Sequence, residues 1–123
     1  MGSPLLDKSK AFALRIIKVC NEVKREKKES ILTNQLVRSG TSIGANIAEA
    51  QNAQSRADFQ SKLNIALKET TETKYWLRLL HATDYLTKEE FQSMESDCNA
   101  IERILSVSVK KLKKIKNCPE GTP

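Results

Sequence analysis

The chain has 123 residues, with 21 Lys and Arg against 15 Asp and Glu for a formal net charge of +6. That length suits one domain that buries roughly two-thirds of its unfolded surface, so no disulfide or metal staple is needed. Its four Gly and three Pro, the latter at positions 4, 119 and 123, exclude collagen-like and turn-rich all-β folds, and 39% hydrophobic residues recurring with a period exclude disorder.

Helix one is predicted over about 5–28. Phe12, Ile16, Val19 and Val23 repeat at spacings of 4, 3 and 4, and Ala13, Ile17 and Cys20 widen the stripe. Lys24, Arg25, Lys27 and Lys28 follow, at the negative end of the helix dipole. Helix two is predicted over 31–52, with Ser30 as its cap and Leu32, Leu36, Ile43, Ile47 and Ala50 as its apolar residues. Asn52, Gln54 and Ser55 break the chain, and Ser55 with Asp58 resembles a capping box in which Asp replaces the usual Glu or Gln.

Helix three, about 56–83, carries one seam of Phe59, Leu63, Ala66, Thr70, Thr73, Leu77 and Leu80. A second seam runs through Lys62, Ile65, Glu69, Glu72, Trp76 and Leu79, so this helix meets neighbours on two sides. Asp84, Tyr85 and Leu86 form a short loop, and Thr87 with Glu90 makes a capping box that opens helix four. Over 88–116 that helix repeats Phe91, Met94, Cys98, Ile101, Leu105, Ser108, Leu112 and Ile115 at 3 and 4, with a disordered tail expected over 117–123. Short connections make consecutive helices antiparallel. The sequence therefore predicts an all-α fold, a single-domain antiparallel up-down-up-down four-helix bundle.

No apolar run approaches the ~18 residues of a membrane span, no hydrophobic signal segment follows Met1, and lipidation patterns fail at Leu6 and Cys118. Three cysteines are an odd count with no metal spacing, and Cys20 and Cys98 fall on apolar stripes as small hydrophobes. A cytoplasmic protein with no membrane partner is expected.

Helix two holds the most informative pattern. Gln35, Ser39, Ser42, Asn46 and Glu49 lie 4, 3, 4 and 3 apart, a polar stripe roughly 80° around the helix from the apolar one. Short amides and hydroxyls with one carboxylate suit a constrained hydrogen-bond network better than a solvated face. Gly40, Gly44 and Ala48 fall four apart on a third side and leave room for close backbone approach. With Arg38 and Glu72 the stripe is the candidate polar network, fixing helix register or a subunit contact.

The stretch Gln35–Ala50 and its continuation through Leu80 resemble the four-helix-bundle family of 23S ribosomal RNA intervening-sequence proteins. Members read L-x-x-Q-x-x-R-S-x-x-S-I-x-x-N-I-A-E-G, matched by Gln35, Arg38, Ser39, Ser42, Ile43, Asn46, Ile47, Ala48 and Glu49. A second block is matched by Phe59, Leu63, Ile65, Ala66 and Glu72, while Ala50 stands where Gly is usual and Glu69 where a small residue is usual. The resemblance covers about residues 8 to 116 and implies a compact bundle that assembles as a ring-like homopentamer. A related accessory protein of diversity-generating retroelements binds nucleic acid. The family has no established catalytic residue, and none is carried over.

Charge is uneven along the chain. Residues 87–102 hold one Lys against five acids, whereas 103–116 hold Arg103, Lys110, Lys111, Lys113, Lys114 and Lys116 with no acid. In an up-down bundle this end lies beside Lys8 and Lys10. These eight cations are the candidate nucleic-acid-binding residues, because phosphate backbones reward such a patch through counterion release. Few aromatics and no RNP-like motif favour backbone or shape recognition of RNA or DNA over base reading. Enzyme readings fail: His81 is the sole histidine, with Arg78 three residues before it, so no Glu-x-x-His pair exists, and no nucleophile elbow, P-loop or dinucleotide fingerprint is present. The sequence predicts no catalytic activity, metal or cofactor, and leaves two readings. One is a nucleic-acid-binding homo-oligomer; the other is a structural or protein-interaction bundle whose cations serve solubility or a protein partner.

Overall fold

The computed structural model describes residues 3–116, with side chains to residue 114; Met1, Gly2 and the segment 117–123 lie outside the described residues. Four helices follow in order: α1 (Pro4–Lys27), α2 (Ile31–Gln51), α3 (Arg56–Ala82) and α4 (Lys88–Lys116). Each packs against its neighbour in the chain, and α1 closes the ring of four against α4. Packing is most extensive between α2 and α3 and least between α1 and α4. This is the antiparallel up-down-up-down four-helix bundle. The lower pole holds the start of α1, the α2–α3 connection and the end of α4; the upper pole holds the other two connections.

The 3,4 periodicity becomes a single core. Ile16 and Cys20 from α1, Leu36 and Ile43 from α2, Leu77 and Leu80 from α3, and Met94, Ile101 and Leu105 from α4 are fully buried. Each large apolar side chain removed from water in this way contributes roughly 1.5–3 kcal/mol. Leu86, in the α3–α4 connection, is also buried and closes the upper pole.

The helix ends show what caps them. Ser3 accepts from Leu6 N at 3.3 Å, with Pro4 at the first helical position, where its missing N–H costs nothing. Ser30, expected to cap α2, makes no side-chain cap bond; Glu29 does so instead, its two carboxylate oxygens accepting from Leu32 N at 2.7 Å and Thr33 N at 2.9 Å. The longer side chain reaches amides that the Ser30 hydroxyl, at φ −131° and ψ −13°, does not. At α3, Ser55 accepts from Asp58 N at 3.0 Å, but the short Asp58 carboxylate reaches Gln54 N rather than completing a reciprocal box. At α4 the box is complete: Glu90 N donates to Thr87 Oγ1 at 3.1 Å and Thr87 N to Glu90 Oε1 at 2.9 Å.

The glycines face α1. A Cβ placed on Gly40 would stand 3.2 Å from two carbons of Ile16, and one on Gly44 would stand 3.4 Å from Ser9 Cβ. Gly40 thus seats a β-branched core side chain against the α2 backbone, which explains why the helix tolerates a poor helix former there.

Candidate functional site

Arg38 and Glu49 of α2 meet the second seam of α3, through Glu72 and Lys62. Arg38 is the centre. Its guanidinium pairs with Glu72 Oε2, its Nε donates to Gln35 Oε1 at 3.2 Å, and Glu69 Oε1 lies 3.8 Å from Nη1. Trp76 Nε1 donates to the same Glu72 oxygen at 2.9 Å, which fixes that carboxylate from the α3 side. Glu69 Oε1 is buried without a hydrogen bond, close enough to Arg38 for attraction and too far for a donor contact. Gln35, Arg38 and Glu72 therefore form one cluster.

The remaining stripe residues serve other partners. Ser39 is buried in the core, accepts from Thr73 Oγ1 at 3.0 Å and donates to Leu36 O at 3.4 Å. Ser42 donates to Arg38 O at 2.7 Å and Asn46 Nδ2 donates to Ser42 O at 2.8 Å, so both bond back onto their own helix. Glu49 meets Lys62 of α3 at 2.9 Å. That hydrogen bond holds the Lys62 ammonium above its ordinary pKa. Lys62 and Trp76 were visible on the second α3 seam but not as partners, and Thr73 read as part of the apolar stripe. Periodicity places a residue on a face; it does not give the register between two helices.

The Arg38–Glu72 pair is about half exposed on its cationic side, and pairs of that exposure contribute about 0.2–1 kcal/mol each. The seam's chemistry is that of orientation. It sets α2 against α3.

The candidate cations lie toward the lower pole except Arg103, which stands at the middle of α4. Arg103 and Lys110 line a shallow depression of about 620 Å³ between α3 and α4, beside Thr71, Asn99 and Glu102. Lys8 lines a groove of about 220 Å³ between α1 and α4, with Arg15 and Asp97. Lys111 borders the open end of the core. Lys10 lies two residues from Lys8, hence about 200° around α1 on the opposite flank. Lys113 and Lys114 are exposed on the last turns, and the side chain of Lys116 lies outside the described residues. The structure brings these cations, Arg103 excepted, to one pole but onto several sides of it.

Some cations elsewhere are matched, whereas others, Lys18 of α1 and Lys68 of α3 among them, belong to no ion pair among the described residues. Arg15 meets Asp97 at 2.7 Å, Lys74 meets Glu102 at 2.6 Å and Arg78 meets Glu95 at 3.3 Å. Among the described residues none of Lys8, Lys10, Arg103, Lys110, Lys111, Lys113 and Lys114 belongs to an ion pair. His81 stacks on Phe91 with ring centroids 4.5 Å apart. Among the described residues no group of three or more His, Cys, Asp and Glu side chains could hold a metal ion, and no helix is long and apolar enough to cross a membrane.

Comparison with known proteins accords with this geometry. No curated protein matches the chain. A solved structure from Bacteroides thetaiotaomicron, a protein of unknown function from the S23 ribosomal protein family, is similar at 51% identity with a TM-score of 0.85, covering 86% of this chain and 98% of that one. The model of the 23S rRNA-intervening sequence protein family matches residues 4–107, which takes in the α2 stripe, its α3 partners and all but the last turns of α4. With four helices in that order and that seam between α2 and α3, the chain belongs to the 23S rRNA-intervening sequence protein family.

Proposed function

We propose that this chain is a non-enzymatic homo-oligomer that binds the phosphate backbone of RNA or another nucleic acid through its basic lower pole. The observation that carries the reading is the concentration of cations: Lys110, Lys111, Lys113 and Lys114 on the last turns of α4 stand at the pole where α1 brings Lys8 and Lys10, and none of the six belongs to an ion pair among the described residues. A cation without a partner keeps its full charge for a polyanion, and releasing condensed counterions supplies the affinity. Association into a ring of five, which the family resemblance implies, would repeat that pole around an axis.

Assembly is supported by apolar side chains on the outside of the bundle. Leu14 is 60% and Val107 48% exposed, and Ile17, Ile65 and Ile104 are exposed as well. The same observation favours the second reading, a bundle whose partners are proteins alone.

The test is fluorescence anisotropy with a structured RNA and a DNA duplex at low salt, beside light scattering for mass. The expected result is binding whose logarithm falls linearly with log salt, by about 0.9 per duplex phosphate neutralised. Changing Lys110, Lys111, Lys113 and Lys114 together to Gln should reduce that slope while the oligomer persists. A flat titration with a persistent oligomer overturns the nucleic-acid reading in favour of the protein-interaction one.

A further inference from the structure

The two poles of the bundle are closed differently. At the upper pole the buried Leu86 lies over the ends of the apolar stripes. At the lower pole the connection consists of Asn52, Ala53, Gln54 and Ser55, and a cavity of about 310 Å³ that none of them lines lies among the helix ends. Its floor is Ile47, Ala50 and Leu63, all buried, and its walls are Leu5, Phe59 and Leu112, all half-buried. Four helices thus contribute to one apolar pocket at the small end of the range for ligand sites.

The position that would fill it carries a hydroxyl. Along α4 the core stripe reads Ile101, Leu105, Ser108 and Leu112, and Ser108 lines the cavity. Its hydroxyl donates to Ile104 O at 2.9 Å, so its hydrogen is satisfied within α4. At the rim stands Lys111, with Ser3 at the amino end of α1. Lys111 is the charged side chain among the described lining residues, and no carboxylate lines the site. An apolar chamber with an ammonium and no carboxylate at its mouth complements an amphiphile with an anionic head.

We propose that the lower-pole cavity binds a medium-chain carboxylate, its hydrocarbon tail among Ile47, Leu63 and Leu112 and its carboxylate at Lys111. This goes beyond the nucleic-acid reading and does not need it. A chain that binds no RNA would still take the carboxylate, and a chain that binds RNA with an empty cavity would refute only this inference.

The test titrates the full-length, isotopically labelled chain with hexanoate, octanoate and decanoate below their micellar concentrations, following backbone amide shifts. Saturable shifts centred on Leu5, Ala50, Phe59 and Leu112 are expected, with affinity rising about fourfold for each methylene buried. Decanoate should bind about two- to fivefold more tightly than 1-decanol or decylammonium, and Lys111→Gln should remove that difference while leaving decanol binding unchanged. Ser108→Leu should abolish the saturable shifts and raise Tm by filling the space; Leu112→Trp, from the wall, does the same should the first variant fold poorly. The proposal is overturned by shifts that do not saturate, by shifts centred on Leu14 and Ile17 instead, by equal affinity for the three head groups, or by unchanged binding in both filling variants. Binding that vanishes as the chain associates would also overturn it and assign the cavity to a second copy.

Discussion

Thr73 and Ser39 exchange a hydrogen bond of 3.0 Å between two fully buried hydroxyls, where the apolar stripes of α3 and α2 cross. Thr73 donates, and Ser39 in turn donates to Leu36 O. Replacing one hydroxyl leaves the other short of a partner in the core, which costs about 1–3 kcal/mol, whereas replacing both by groups of like shape is nearly neutral. Ser39→Ala should therefore destabilise the chain by about 1–2 kcal/mol in urea unfolding. Ser39→Ala with Thr73→Val should recover most of that loss. A double variant that merely sums the two single losses would show that the hydroxyls act independently.

The two α2 glycines should respond in opposite directions to alanine. Relieving a helix-interior Gly gains up to about 1 kcal/mol. At Gly44 the new methyl meets Ser9 at ordinary contact distance, so Gly44→Ala should stabilise by about 0.5–1 kcal/mol. At Gly40 it meets the fully buried, β-branched Ile16 at 3.2 Å, and overpacking costs typically 1–3 kcal/mol. Gly40→Ala should be a net loss of about 1 kcal/mol. Thermal melts of the two single variants compare the signs directly.

Glu29 makes the α2 cap pH-sensitive. Its partial burial pushes the carboxyl pKa up, but hydrogen bonds from the Leu32 and Thr33 amides outweigh that and hold it below its ordinary value of 4.5. A depressed carboxylate contributes stability above its unfolded pKa and loses it as pH falls through the folded one. Glu29→Ala should cost about 1 kcal/mol at pH 7. The gap between variant and parent should shrink as pH falls below about 4.5. A gap that stays constant to pH 3 would assign the effect to packing.

The thiols of Cys20 and Cys98 should be inert while the chain is folded. Burial pushes each pKa up to about 12, and the thiolate is the reactive form. Iodoacetamide at pH 8 should label neither residue in native buffer and both in concentrated urea, by peptide mapping. Native labelling of Cys98 as fast as in urea would mean that α4 opens locally from α3.

Much of the fold was legible because its signals are local. The stripe of Met94, Cys98, Ile101 and Leu105 needs only the helical period, and the Thr87–Glu90 box needs only three residues of spacing. What escaped reading depends on distances across helices or on side-chain reach. Ser30 looked like the cap by residue type, yet Glu29 reaches the amides. Glu49 and Lys62 lie on different helices, so their meeting depends on the α2–α3 register. The stacking of His81 on Phe91 spans the α3–α4 turn and has no sequence period to announce it. The cations were legible as a run, but their spread over several sides of one pole required the helix rotations.

An even number of antiparallel helices has a practical consequence. The first residue of α1 and the last of α4 emerge at the same pole, next to Lys8, Lys110 and Lys111. A charged probe attached to the first turn of α1 or the last turns of α4 would therefore sit beside the very surface whose charge is in question and would bias any polyanion assay. Labels and attachment points belong on the opposite pole, where the exposed Lys28 and Asp84 sit in turns with φ of 58° and 67°.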